Sequence, residues 1–594
     1  MKARTFAEKI FEAEKGSIVF KMPDIVLSHD NSASIKGTFE KMGGAKIFNP
    51  DQLLIVLDHN APPTNAKLAN DYQKVRELVE NQGIKKFHDV GKGICHQIMS
   101  KYAKPKMLIV GSDSHSCTAG AFNTFATGID RTETAGLWRN GETWFRVPES
   151  IKITLKGKLQ EGVYAKDLAL WIIGILGSSG ADYMSIEYHG EGVSTLSVSD
   201  RMVLANLASE MGAKNAVFPS DKVLWDFLGE KTEGIWADEN AEYIKKLDIN
   251  LNDIFPVAAC PHHVDNVKAI SEIEGTTINQ AVIGTCTNGR IEDLRIAAEI
   301  LKGKKIAKNF QLLIIPASQE IYLQAIAEGL VQIFLNAGGN ILSPSCGPCL
   351  GTGQGIPADG FNVISTANRN FLGRMGNKMA NIYLASPATV AISSINGKIT
   401  DPRGMKGIDK FPYHKIQSKT IEIKKEDDRY DKVTKVWNYS DVDNLNTDQM
   451  FAGNLTYNIN SNEPEKIKPN LFKGFDDSFS ERVQNGDFII AGENFGCGSS
   501  REHPSVGLSF CGIKAVICKS VSRIFYRSSI NQGLAIIVQP EAVDYYKQGD
   551  NVNIDFAKGL VTIRDKQLRF IPLPEKLMGI LDAQGLINWI KNNK

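Results

Sequence analysis

Three cysteines mark the first place where this sequence could do chemistry. Cys346 and Cys349 stand in Ser345-Cys346-Gly347-Pro348-Cys349-Leu350-Gly351, and Cys286 lies in Gly284-Thr285-Cys286-Thr287-Asn288-Gly289. Glycines flank all three, and only side-chain-free positions let backbone N–H groups approach a metal centre closely. Thiolates are soft ligands that suit iron–sulfur clusters. Three of them on a four-iron cubane would leave one iron open, which marks a catalytic centre. Spacing alone leaves other readings open. Structural zinc lacks a fourth Cys or His at the usual interval. A thioredoxin-like pair would open a helix, whereas Pro348-Cys349-Leu350-Gly351 reads as loop. Three unrelated buried thiols would need no metal.

Two histidine–carboxylate pairs come next. Asp58-His59 and Asp113-Ser114-His115 each follow an apolar run, where an acid can orient an imidazole and tune its protonation. Either alone could be a surface turn; two at equivalent places point to function. Taken alone, His96 reads as a satisfied core histidine and Glu210 as a solvated acid before a glycine helix stop. Two stretches could hold anions. Asn368-Arg369-Asn370-Phe371-Leu372-Gly373-Arg374 offers two guanidinium groups, which grip carboxylates bidentately. Gly496-Cys497-Gly498-Ser499-Ser500-Arg501-Glu502-His503 is Gly-rich but lacks the lysine of a phosphate loop. Glu502 and His503 read as structural partners of that loop.

The elements that must position these groups are strands. Ile25-Val26-Leu27, Leu53 to Leu57, Met107 to Val110, Ala281-Val282-Ile283, Val363-Ile364-Ser365 and Phe488 to Ala491 are apolar runs of buried-strand length. Each runs straight into a polar loop. A helix is predicted after Pro63, with Leu68, Tyr72, Val75 and Val79 on one face, and residues 1–23 read as helical. Strands alternating with helices imply α/β domains with parallel sheets, whose ligands bind beyond the carboxyl ends of the strands. Composition changes between Gly397 and Pro469, where Lys, Asp, Asn and Pro replace strong apolar runs.

Bulk properties exclude several classes. The 68 basic and 67 acidic residues leave a net charge of +1, so no bulk field draws in nucleic acid or an anionic membrane. The longest apolar run, Leu168 to Leu176, is about half of what spans a bilayer. Nine cysteines scattered over 594 residues are no disulfide framework. The start shows no apolar leader. A cytoplasmic monomer is expected.

Together the motifs resemble the aconitase superfamily of hydro-lyases, which includes 3-isopropylmalate dehydratase. The match rests on Asp58-His59, Asp113-Ser114-His115, the Cys286 loop, Cys346-Gly347-Pro348-Cys349, Asn368-Arg369 with Arg374, and Gly498-Ser499-Ser500-Arg501, in the family's order along nearly the whole chain. The resemblance implies an α/β fold of three domains around an iron–sulfur cluster, with a C-terminal swivelling α/β domain. It places the large region at 1–400, a linker at 401–445 and the swivel domain at 446–594, as if large and small subunits were fused. It implies one [4Fe-4S] cluster on Cys286, Cys346 and Cys349 with one open iron. Ser499 would be the base and His59, with Asp58, the acid. Asp113 with His115, and His96 with Glu210, would tune the water and hydroxide on iron. Ser114, Asn368, Arg369, Arg374, Ser500 and Arg501 would bind a small hydroxy acid.

Departures from the family pattern bear on the substrate. Cys497 stands where classical aconitase has an acid. No arginine follows Asn446-Thr447-Asp448 before Asn470, where aconitase keeps one for a carboxylate. A dicarboxylic acid with an apolar branch, as in 3-isopropylmalate, is favoured over the substrates of aconitate or homoaconitate hydratases. Arg131 or Arg527 could replace the missing cation in space. An RNA-binding regulator on the cluster-free fold is the remote alternative, and electron transfer is disfavoured by only three obvious thiols.

Overall fold

The computed structural model describes residues 3–404, 411–412, 429–452, 455–456, 459–498 and 501–593. Four main sheets, each with parallel pairing at its heart, organise these residues. The first is wholly parallel. Its strands lie in the order Lys86–His88, Leu53–Val56, Ile25–Ser28, Leu108–Gly111, Phe125–Gly128. The second, in the order Asn215–Val217, Ser185–His189, Ser150–Lys156, Lys245–Asn250, is also parallel. The third has seven strands, and its parallel centre is Asn381–Leu384, Asn362–Ser365, Gln280–Gly284 and Gln311–Ile315. The fourth pairs Val436–Tyr439, Phe488–Ala491, Ala515–Cys518 and Ala535–Val538 in parallel. The predicted α/β class with several parallel-sheet domains is therefore what the chain forms. Central strands such as Leu53–Val56 and Phe488–Ala491 are buried at every residue, as strands covered on both faces must be.

The predicted helix after Pro63 runs over Ala66–Gln82 and buries Tyr72, Val75 and Leu78. The amino-terminal reading needs correction. Only Phe6–Phe11 is helical, and the helix stops where Glu12 turns left-handed at φ 56°. Ile18–Lys21 is a strand, paired with Thr143–Arg146. Its β-branched and aromatic residues pack on a pleated surface better than in a helix. Much of the charged stretch read as a linker lies outside the described residues. Its later part does not behave as a linker, because Tyr430–Asp431 and Val436–Tyr439 belong to the fourth sheet and Trp437 is fully buried.

The fourth sheet's unit docks on the first. Arg527, fully buried, donates Nε to Glu133 Oε2 at 3.0 Å and pairs through Nη2 with Glu133 Oε1. Its guanidinium lies 3.8 Å over the Trp144 ring. Arg527 is thus committed to holding these units together, and of the two substitutes offered for the missing cation it is ruled out. Glu502 Oε1 accepts from Thr132 N at 2.6 Å, and His503 bonds Ile459 O at 2.9 Å while stacking on Phe451. Both are structural, as their loop position suggested. Among the described residues no helix is long and apolar enough to cross a membrane.

Candidate functional site

The carboxyl ends of the first and third sheets converge on one polar site. Asp58 and His59 follow Leu53–Val56, and Asp113 to His115 follow Leu108–Gly111. Cys286 follows Gln280–Gly284, and Asn368 and Arg369 follow Asn362–Ser365. The chain leaves its strand at Gly284 with φ 131°, where a Cβ would stand 2.0 Å from Ile315 O. No residue but glycine fits there. Thr285 next to it holds φ 66°, a strained position for a β-branched residue.

His59 is gripped on both edges. Nδ1 meets Asp58 Oδ1 at 2.7 Å and Nε2 lies 3.4 Å from Asp113 Oδ2. Asp58 Oδ2 accepts from Cys95 N at 2.7 Å. Burial disfavours the imidazolium, but Asp58 and Asp113 outweigh it and hold the His59 pKa well above the ordinary range. Burial likewise works against the Asp113 carboxylate. Hydrogen bonds from His115, His59 and His96 prevail and keep its pKa well below the usual value.

The structure pairs the remaining groups differently from the expected scheme. His96 Nε2 meets Asp113 Oδ1 at 2.8 Å, not Glu210. Glu210 belongs to His115, whose Nε2 lies 2.7 Å from Oε1. His115 N also donates to Asp113 Oδ1 at 2.8 Å. Arg369 Nε then donates to both Glu210 oxygens at 2.9 and 3.0 Å. Burial would raise the Glu210 pKa, yet Arg369 and His115 bring it down to about 2. The reason for the changed pairing is topological. His96 stands on the short helix Cys95–Met99 beside the first sheet, whereas Glu210 follows the helix Val198–Leu207 of the second sheet's unit.

The three thiols form the other pole. All are buried and free of disulfides. Asn368 Nδ2 donates to Cys286 Sγ at 3.3 Å, and its Oδ1 lies 3.7 Å from Cys349 Sγ. Asn206 Nδ2 donates to Cys286 Sγ at 3.6 Å, and Arg374 Nη2 to Cys349 Sγ at 3.5 Å. Burial pushes the Cys286 thiol up to about 12, with Cys349 adding to the effect. Burial likewise holds the Cys346 thiol well above the ordinary range. Amide and guanidinium donors aimed at sulfur suit the anionic thiolates that a cluster would bind.

Several functional neighbours escaped the sequence reading. Asp30 Oδ1 accepts from Asp58 N and His59 N at 3.0 and 3.1 Å, and Oδ2 accepts from Asn60 N at 2.9 Å and from the Tyr72 hydroxyl. His29 stacks on His59 with ring centroids 3.9 Å apart, and burial beside that imidazolium drives its pKa down to about 3. Both follow the strand Ile25–Ser28, so the strand-end rule that found His59 would have found them. Arg523, from the helix Arg523–Asn531 of the C-terminal unit, donates Nη2 to Ser114 O and Ser209 Oγ, each at 2.8 Å. Arg501 Nη2 donates to Asp448 Oδ2 at 2.7 Å. Ser499 and Ser500 lie outside the described residues.

Comparison with known proteins reaches most of the chain. The Aconitase family (aconitate hydratase) model matches residues 4–275 and 267–397, and the Aconitase C-terminal domain matches residues 415–542. The 3-isopropylmalate dehydratase large subunit 1 of Methanopyrus kandleri is 44% identical over 413 residues, 67% of this chain and 99% of that protein. A probable methanogen homoaconitase large subunit of Methanosarcina mazei is 46% identical over 387 residues, 64% of this chain and 98% of that protein. Among solved structures, a 3-isopropylmalate dehydratase from Methanocaldococcus jannaschii is 38% identical with a TM-score of 0.24, covering 27% of this chain and 90% of that one. The family implies a [4Fe-4S] cluster, and the thiol pole fits one. This chain belongs to the aconitase family, and it is a hydro-lyase.

Proposed function

We propose that the chain is a single-chain dehydratase that moves a hydroxyl between adjacent carbons of a 3-isopropylmalate-type acid. Large and small subunits are fused in it. A relative of the large-subunit kind covers 67% of the chain with 99% of its own length, and residues 415–542 match the Aconitase C-terminal domain. In this reading the body covers residues 1–400, and the C-terminal unit takes in the strands from Tyr430 onward.

One observation carries the proposal: a continuous chain of contacts joins the thiols to the imidazoles. Asn368 touches Cys286 and Cys349, its neighbour Arg369 holds Glu210, Glu210 holds His115, and Asp113 links His115 to His96 and His59. Cys286, Cys346 and Cys349 would hold the [4Fe-4S] cluster, which supplies a Lewis-acid iron free of protein ligands. His59, charged by Asp58 and Asp113, donates the proton that lets the substrate hydroxyl leave. Ser499 takes the carbon-bound proton, with Arg501 two residues further on. Arg369, Arg374, Ser114, Ser500 and Arg501 grip the carboxylates, and Asp113, His115, His96 and Glu210 hold the water.

The Methanosarcina relative, named a homoaconitase, supports a second reading as a homoaconitate hydratase. Comparing kcat/KM for 3-isopropylmalate, homoaconitate and citrate on anaerobically reconstituted protein separates them. A preference for 3-isopropylmalate is expected, and a preference for homoaconitate establishes the second reading. No turnover of any of the three overturns both.

A further inference from the structure

Behind the thiol pole lies a lysine that no step above uses. Lys166 sits in the first turn of the helix Ala165–Leu176 and is fully buried. Its Nζ donates to Thr366 O at 2.9 Å and to Ala367 O at 2.6 Å. Those carbonyls directly precede Asn368, the residue in contact with Cys286 and Cys349. The Thr366 hydroxyl also accepts from Gly284 N at 2.9 Å and donates to Gly284 O at 3.0 Å, at the root of the Cys286 loop. Lys166 therefore fastens the turn from which both thiol loops are braced.

A buried ammonium needs a counter-charge. Among the described residues no carboxylate pairs with Lys166. The acids whose charge is felt at Lys166 are Asp293 and Glu210. Asp293 is occupied by Asn288 Nδ2 at 2.9 Å and Arg290 N at 3.1 Å, and Glu210 by His115 and Arg369. Burial lowers the Lys166 pKa to about 7, and Cys286 and Cys349 are the foremost influences that oppose it and favour the ammonium.

We propose that Lys166 is a positioning residue and the buried counter-charge of the thiol centre, fixing the Thr366–Ala367 turn and balancing the negative charge of a cluster on Cys286, Cys346 and Cys349. This rests on the cluster reading given above. A fixed positive charge beside a cluster favours its reduced form, so the residue sets the reduction potential and slows loss of iron.

The test compares Lys166→Gln, Lys166→Met and Lys166→Arg with the parent, all anaerobically reconstituted. The readouts are the visible cluster spectrum, the reduction potential and the rate of iron release to a chelator, with circular dichroism for the fold. Lys166→Gln keeps a donor for one carbonyl and removes the charge. It is expected to shift the potential to more negative values and to release iron several-fold faster. Lys166→Met should do both more strongly, and Lys166→Arg should restore the parent potential. If Lys166→Met does not fold, Lys166→Gln and Lys166→Arg still decide. A Lys166→Gln protein that keeps the parent potential and iron-release rate overturns the inference and leaves the cluster reading standing. A parent with no cluster spectrum overturns both.

Discussion

The two poles of the site have opposite surroundings. Around the thiols stand amides and cations: Asn206, Asn368, Arg374 and, one layer back, Lys166. Around the imidazoles stand carboxylates: Asp30, Asp58, Asp113 and Glu210. Each environment suits the charge proposed for its pole, anionic sulfur at one and imidazolium at the other. The poles meet at the adjacent residues Asn368 and Arg369, so a change at either is felt across both. The contrast also explains why Cys286 is held as a thiol while His59 is charged: burial, reinforced by Cys349 and Asp113, governs the first, and burial opposed by two carboxylates governs the second.

The largest effect is expected from breaking the thiol pole. Cys286→Ser should abolish the visible cluster spectrum after anaerobic reconstitution and reduce turnover to background, while far-ultraviolet circular dichroism stays unchanged. At the imidazole pole, Asp58→Asn removes the acid that charges His59, and turnover should fall about 10²- to 10⁴-fold, the usual range for general acid catalysis. The pH dependence gives the sign. A raised His59 pKa means that its charged form, and the stability it contributes, is complete below about 6.5 and is lost as pH rises through the raised value. Asp58→Asn should therefore move the alkaline limb of the pH–rate profile to lower pH. Glu210, with its pKa near 2, behaves oppositely: its contribution is present above about 4 and disappears only as pH falls towards 2.

Glu210→Gln tests the junction between the poles. It strands Arg369, whose side chain is only 9% exposed. Breaking a buried pair costs about 3–5 kcal/mol, which thermal unfolding will register as a lowered Tm. The smallest effect is predicted for Ser209→Ala. This loses the hydroxyl that bridges Arg523 and Ser114 O, worth about 1 kcal/mol. Faster amide exchange should then appear at 208–212, with turnover changed little.

Much of the site was legible because parallel sheets expose loops at their carboxyl ends. Buried apolar runs ending in Asp58-His59, Asp113-Ser114-His115 and Cys286 announced it without a structure. The partnership of each histidine was not legible. Whether His96 meets Asp113 or Glu210 depends on how the units of the first and second sheets abut, and local spacing carries no trace of that. Lys166 was invisible for the same reason, since its partners lie 200 residues further on. Ile18–Lys21 was misread because its strand partner is remote in sequence and the flanking charges imitate a helix surface.

The account stands most directly on one measurement. The whole chain, reconstituted with its cluster under anaerobic conditions and given 3-isopropylmalate without any second subunit, is followed in the ultraviolet for the unsaturated acid. The account predicts that this absorbance rises and settles to an equilibrium level. It is contradicted if no unsaturated acid forms, or if one forms only after a separate small subunit is added.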